Sequence, residues 1–189
     1  MSIADRIRWD EKYSNRESTN IPPDEWLVQC VRKVVPGTAL EIACGLGHNA
    51  IWLAEQGWTV DAVDISPVGL ALAAETAHRR NVRVQWLPAD LEDESWRPPR
   101  ETYDLIVVFR FLDRVHLPRL INECLAPGGI LVYETFASGQ LSRPDNHLRN
   151  PAFALQPREL AQLYRELTPL EYEEVDLADR SVARLLARK

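Results

Sequence analysis

Apolar and polar positions along this chain follow two rhythms, and the switch from one to the other recurs. TALEIAC (38–44) reads as a short strand, and HNAIWLAEQ (48–56) repeats its apolar residues at helical spacing until Gly57, which suits the left-handed position past a helix end. WTVDAVD (58–64) is a second strand. Ser66 and Pro67 then supply an N-cap hydroxyl and a first-position proline, and the helix they open closes at Arg79, Arg80 and Asn81. VRVQWLP (82–88) predicts a third strand; YDLIVVF (103–109), nearly all apolar, predicts a fourth that is covered on both faces. Leu117, Leu120, Ile121, Cys124 and Leu125 fall at i, i+3, i+4, i+7 and i+8, predicting a helix stopped by APGG. GILVYETF (129–136) follows as a fifth strand and PRELAQLYREL (157–167) as a further helix with Leu160, Leu163, Tyr164 and Leu167 on one face. Ahead of all these, Ile3 to Tyr13 predicts a short helix carrying Trp9 and Tyr13. SNRESTNIPP (14–23) is a polar connector, and Leu27, Cys30, Val31 and Val34 mark a second helix from Asp24 to Pro36-Gly37.

Strands alternating with helices pair in parallel through right-handed crossovers, which predicts an open, doubly wound α/β sheet with helices on both faces. Ligands of such sheets lie outside the carboxyl ends of the strands, near the point where strand order reverses. The chain's last segment is ambiguous by periodicity. LEYEEVDL (170–177) alternates like a strand, whereas Arg180, Arg184 and Arg188 suit a helical stripe and one face of a strand equally.

Composition narrows the reading. A chain of 189 residues, 46% hydrophobic and 26% charged, fits one globular domain with a full core. The net charge of −6 disfavours a nucleic-acid partner, whose phosphates are neutralised by Lys and Arg. Cys30, Cys44 and Cys124 share no CxxC spacing, so they suggest neither a disulfide framework nor a metal site, and they read as thiols of a reducing compartment. The charged start and the absence of a long apolar run give the expectation of a cytoplasmic protein without a membrane span.

The chemical signal lies at the strand ends. Gly45 and Gly47 form a turn that lets backbone approach a ligand, and GLGHNA matches the dinucleotide pattern G-x-G-x-x-A, with Asp64 nineteen residues after Gly45. Asp64 is placed to accept a ribose diol, or else to cap the next helix; Asp61 lies within the strand and is the less favoured partner. Asp90, in PADLED after the third strand, falls at the same sheet edge. A carboxylate there accepts from an adenine amino group, or is a solvated loop acid.

With these residues in place, ALEIACGLGHNA resembles the first motif, acid-x-G-x-G-x-G, of class I S-adenosylmethionine-dependent methyltransferases. VDAVDISP, LPADLED, YDLIVVF and LAPGGILVYETF resemble the later landmarks in the family's order, over about Leu40 to Phe136. WDEKY (9–13) makes the small tellurite-resistance-type methyltransferases the nearest group. The resemblance implies that Glu41, Ala43, Gly45 and Gly47 surround the methionine part of the cofactor. It further implies that Asp64 holds the ribose, that Ile65 packs on the adenine, and that Asp90 and Leu91 border its edge. Phe109 and Arg110 fall where the acceptor meets the methyl group. Ala43 stands at the motif's first glycine, and His48-Asn49 is read in place of the third. The family fold implies a seven-stranded, mostly parallel sheet ending in an antiparallel hairpin, which assigns LEYEEVDL and RSVARLLARK to strands. The chain then divides into an N-terminal helical cap (1–37), a cofactor-binding core (38–136), a substrate lid (137–156), and a helix with the hairpin (157–189).

Methyl transfer from a sulfonium to a small-molecule acceptor, leaving S-adenosylhomocysteine, needs orientation and no covalent protein nucleophile. A general base is required only for an acceptor that begins protonated. Substrate-side candidates are Arg110, which binds an anionic acceptor or pairs with Glu134; Glu134 itself; and His147, a base or a solvated loop histidine. Trp9 and Tyr13 close over the sulfonium by cation–π attraction, or simply pack a helix. Ala137 to Gln156 is long for a connection inside a domain, hence the lid. Two other readings stand beside this one. An NAD(P)-dependent oxidoreductase satisfies the glycine pattern but explains neither Asp90 nor PGG, and a non-catalytic S-adenosylmethionine-binding module shares every cofactor residue.

Overall fold

Six α-helices, two short 3-10 helices (Ser138–Ser142 and Pro151–Phe153) and seven strands are found among the described residues of the computed structural model, which are 3–16, 21–93, 96–148 and 150–189. Part of the polar connector predicted over 14–23, and one position of the predicted lid, lie outside the described residues. In chain order the elements are α1 (Ile3–Ser14), α2 (Glu25–Val31), β1 (Thr38–Ile42), α3 (His48–Glu55), β2 (Thr59–Asp64), α4 (Pro67–Arg79) and β3 (Gln85–Pro88). They continue with β4 (Tyr103–Phe109), α5 (Leu117–Cys124), β5 (Leu125–Phe136), α6 (Glu159–Leu163), β6 (Thr168–Asp176) and β7 (Ser181–Arg188).

The strands form one sheet in the order β3-β2-β1-β4-β5-β7-β6, the first five parallel and β7 antiparallel to both neighbours. This is the doubly wound sheet with a terminal hairpin expected from the sequence. Strand order reverses between β1 and β4, so their carboxyl ends open the crevice in which such sheets bind ligands. β4 sends alternate side chains to opposite layers: Ile106 and Val108 pack with Ile121 and Leu160, while Leu105, Val107 and Phe109 pack with Leu27 and Leu53. Leu105 to Val108 are wholly buried, each contributing about 1.5–3 kcal/mol of hydrophobic stabilisation.

Local signals hold where they were strongest. Ser66 Oγ accepts from Gly69 N at 3.0 Å with Pro67 following, and Gly57 is left-handed at φ +93°. α2 ends at Val31, short of Val34, and β6 starts at Thr168, ahead of Leu170; three further boundaries differ from the pattern for a visible reason. β3 starts at Gln85 and not Val82, because the Val82 amide is spent on Ala77 O (3.1 Å), closing α4 behind left-handed Asn81. β5 starts at Leu125, which pairs with Tyr103; a register shift then absorbs APGG around Gly128 at φ +81°. α6 spans five residues of the predicted eleven, yet Leu160, Tyr164 and Leu167 are all buried as expected. In the hairpin Arg184 and Arg188 lie on β7, which settles their spacing as that of a strand.

Candidate active site

Between β1 and α3 the backbone turns through Ala43 (φ +56°), Gly45 (φ +57°) and Gly47 (φ +65°), every second residue left-handed. Counted from Glu41, these are the three small positions of the acid-x-G-x-G-x-G motif. His48 therefore replaces no glycine: it is the first residue of α3, directly after the third left-handed position, which corrects the reading of His48-Asn49. A Cβ on Gly47 would lie 2.5 Å from the Trp86 ring, and one on Gly45 would lie 2.6 Å from the Tyr13 hydroxyl.

Two acids anchor this cradle. Glu41 is buried and accepts from Ala50 N at 2.8 Å; burial pushes its carboxyl up to about 8, against the opposing pull of that bond. Asp64, at the end of β2, accepts from Gly45 N (2.8 Å) and Ser66 N (2.9 Å), so one carboxylate ties two loops together. Burial raises its pKa while the amides lower it. The helix-capping alternative for Asp64 passes to the Ser66 hydroxyl. These bonds use two of about four acceptor positions of the Asp64 carboxylate.

The remaining strand-end residues collect at the same edge. Ile65, Leu91 and Phe109 are buried. Ala89 N donates to Asp64 O at 3.1 Å, which brings the Asp90 loop against the Asp64 loop. Asp90 Oδ1 accepts from Glu92 N (3.0 Å), giving it a turn-shaping bond of its own. From above, α1 lays Tyr13 across Gly45 and Gly69; the hydroxyl's pKa is raised by burial and by nearby Asp64. Trp9 stacks on Tyr13 at 5.6 Å, and Lys12 Nζ lies 4.2 Å from the Trp9 ring centre. Asp10 Oδ1 accepts from Ser66 Oγ (2.5 Å) and Val68 N (3.4 Å), pinning α1 to the start of α4.

Arg110 follows β4 in a left-handed conformation, φ +57°, and its guanidinium donates to Asp24 at 2.6 and 2.8 Å. The expected side-chain pairing with Glu134 is not formed. Only the Arg110 amide reaches that residue, at its carbonyl (2.9 Å). Glu134 stands opposite Arg184 in the β5–β7 register and accepts from it at 2.7 Å, and from Arg180 at 3.3 Å. His147 is exposed, with its ring edge-on to Phe136 at 5.2 Å. The 137–156 segment is tied at both ends, by Ala137 N to Ser181 O (3.1 Å) and Leu155 N to Phe136 O (2.8 Å), and also within, where buried Gln140 Oε1 accepts from Ser181 N (2.9 Å) and Arg143 donates to Leu177 O (3.1 Å) and Ala178 O (2.8 Å).

Pattern reading missed Asp24, which it treated only as a helix start. Asp24 accepts from Arg110, from His48 Nε2 (3.1 Å) and from Asn49 Nδ2 (3.0 Å), while its own amide donates to Asn49 Oδ1 (2.9 Å). Burial opposes its ionisation, but the His48 and Arg110 bonds overcome this and hold its carboxyl well below the usual carboxylate range. No local pattern marks Asp24, because His48, Asn49 and Arg110 lie 24, 25 and 86 residues away.

The chemistry of these residues fits an adenosylmethionine: a turn of three small left-handed residues, a buried acid at the β2 end, and apolar Ile65 and Leu91 at the same edge. A methyltransferase-domain family matches residues 23–172, and the chain belongs to it. Its similarities point toward S-adenosylmethionine-dependent methyltransferases of the TehB type. The probable S-adenosyl-L-methionine-dependent methyltransferase TehB of Haemophilus influenzae is 26% identical over 152 residues, 78% of this chain and 52% of that protein. Hemagglutinin 1 of Eikenella corrodens is 34% identical over 153 residues, 77% of this chain and 49% of that one. The chain thus spans about half the length of these relatives. The crystal structure of TehB from Haemophilus influenzae shares the fold, with a TM-score of 0.72 at 24% identity over 97% of this chain and 66% of that one. Among the described residues, no helix is long and apolar enough to cross a membrane.

Proposed function

We propose that the chain transfers a methyl group from S-adenosylmethionine to a small-molecule acceptor by in-line displacement. The observation carrying this reading is the Asp64 carboxylate bonded to Gly45 N at 2.8 Å, which fixes an acid against a glycine cradle at the strand-order reversal. When bound, the cofactor supplies the activated methyl; the protein supplies position, with alignment contributing on the order of 7–11 kcal/mol. Asp64 takes the ribose hydroxyls, Ile65 and Leu91 flank the adenine, and Glu41 with Ala43, Gly45 and Gly47 surrounds the methionine part. Phe109 and Arg110 border the acceptor. Tyr13 rests on the cradle, so α1 must shift to admit a ligand and can then close over it with Trp9. The 137–156 segment forms a lid on the acceptor side, its motion confined to the stretch between Arg143, which is bonded to Leu177 O and Ala178 O, and Ala152, which is bonded to Arg114.

Calorimetric titration with S-adenosylmethionine, S-adenosylhomocysteine and NAD tests the cofactor. Binding of the first two is expected; binding of NAD alone overturns the proposal in favour of an oxidoreductase. Labelled methyl transfer across a panel of hydroxyl, thiol, amine and metalloid acceptors tests the chemistry, and cofactor binding with no transfer to any acceptor favours the non-catalytic module.

A further inference from the structure

His48 carries a ring nitrogen that nothing in the fold uses. Its Nδ1 is shielded from solvent and has no hydrogen-bond partner among the described residues. Its Nε2 is committed, standing 3.1 Å from Asp24 Oδ2. Asp24 takes four side-chain contacts from Arg110, His48 and Asn49 and is ionised, and an ionised carboxylate only accepts. A lone pair on Nε2 would face that carboxylate with repulsion, so the proton belongs on Nε2 and the lone pair on Nδ1. The 3.3 Å approach of Arg110 Nη2 to Nε2 is then two donors converging on one carboxylate.

The location matters as much as the tautomer. His48 opens α3 immediately after left-handed Gly47, at the edge of the cofactor cradle, and shares Asp24 with Arg110 at the end of β4. The ring is thus next to the cradle in the chain and within 3.3 Å of Arg110, which is proposed to border the acceptor. A buried polar atom without a partner is costly, and each one in a native fold calls for a physical account.

We infer that His48 is a catalytic base of the methyl transfer, and that its acceptor is a hydroxyl that begins protonated. This rests on the methyltransferase reading above. In the step, the acceptor O–H bond breaks and its proton moves to Nδ1. The oxygen's electron pair forms the bond to the methyl carbon, and the carbon–sulfur bond breaks with its pair retained by sulfur, turning the sulfonium into a neutral thioether. The imidazolium is balanced by Asp24 and gives its proton up to solvent when the site opens to release product. Asp24 is a positioning residue: it fixes the tautomer and neutralises the charged ring, as a carboxylate does for an imidazole in acyl-transfer enzymes. The charges around the ring are Asp24 on the α2 cap, Arg110 after β4, Arg180 (3.7 Å from Asp24) ahead of β7, and buried Glu41 on β1.

Nitrogen-15 NMR of the full chain with labelled histidine tests the assignment, comparing the protein alone with its S-adenosylhomocysteine complex. The expected result is a His48 Nε2–H tautomer with a bare Nδ1, unchanged by S-adenosylhomocysteine and lost to a tautomer mixture in Asp24→Asn. An Nδ1–H tautomer overturns the proposal. So does an Nδ1 that gains a hydrogen bond from S-adenosylhomocysteine alone, which would assign its partner as the cofactor's amino group. In turnover, His48→Gln keeps an amide near the Nε2 position and loses Nδ1. It is expected to bind S-adenosylhomocysteine within about threefold of wild type, to slow transfer to hydroxyl acceptors by 10²–10⁴, and to lose the acid limb of the rate profile. His48→Gln rates equal to wild type on a hydroxyl acceptor overturn the base. Failure of the wild type to bind S-adenosylhomocysteine would overturn the methyltransferase reading, while the tautomer still decides on His48.

Discussion

Asp24, at the N-cap of α2, and Arg110, at the end of β4, close a two-pronged ion pair at 2.6 and 2.8 Å across 86 residues of sequence. It joins the helical cap to the centre of the sheet at the edge where ligands bind. Removing one partner of a wholly buried pair costs about 3–5 kcal/mol. The Arg110 side chain is 32% exposed, so Asp24→Asn is expected to cost about 1–3 kcal/mol in urea unfolding. The sign with pH follows from the depressed carboxyl. Its stabilisation is complete above the ordinary Asp range and is lost only as pH falls through the lower folded-state value. The gap between wild type and variant should stay constant from pH 5 upward and narrow only in strong acid.

Glu41 carries the opposite sign. Its folded-state pKa of about 8 lies above the ordinary 4.5, so its contribution is full below 4.5 and is lost as pH rises to about 8. Glu41→Gln, which keeps the shape without the charge, should become more stable than wild type over that window by on the order of 4–5 kcal/mol at its upper end. Thermal unfolding at pH 5, 7 and 8.5 checks this. If the cofactor's ammonium is seated beside Glu41, binding near pH 7 should also release a proton, read from calorimetry in buffers of different ionisation enthalpy.

Gly47 tests the cradle by sterics. Gly47→Ala adds a methyl 2.5 Å from the Trp86 ring at φ +65°, combining left-handed strain with a core clash. A loss of about 2–4 kcal/mol is expected in chemical unfolding. Gly57→Ala, left-handed at φ +93° but with its nearest neighbour at 4.0 Å, should lose only about 1 kcal/mol.

Tyr13 tests the cap. No residue of α1 is fully buried, Ile3 and Ile7 are exposed, and the helix is held at the cradle by Tyr13 and Asp10. Tyr13→Ala should speed both association and dissociation of S-adenosylhomocysteine by at least about threefold, since ordering so lightly packed a segment is opposed by backbone entropy. Stopped-flow tryptophan fluorescence reads both rates.

How far the sequence reached depended on the range of each signal. β1, β2, β4, the Ser66 cap and Gly57 rest on neighbouring residues, and pattern alone located them. The start of β5 depends on Leu125 meeting Tyr103, and the start of β3 on Val82 closing α4; neither partner is visible in local pattern. The Arg110–Glu134 expectation placed the two residues correctly, because Phe109 and Glu134 are in register. It failed on direction: the left-handed turn at Arg110 carries its side chain to Asp24, and Glu134 faces Arg184 across the antiparallel pair. Asp24 and His48 were read as a helix start and a motif irregularity because their partners lie 24 to 86 residues away.

The most direct test of the central claim is calorimetric titration of S-adenosylhomocysteine into wild type and Asp64→Ala. Stoichiometric binding by wild type, weakened at least about tenfold in the variant, is the predicted result, equivalent to about 1.4 kcal/mol from the ribose-facing acid. Equal affinity in the two proteins, or binding of NAD in place of S-adenosylhomocysteine, would contradict it.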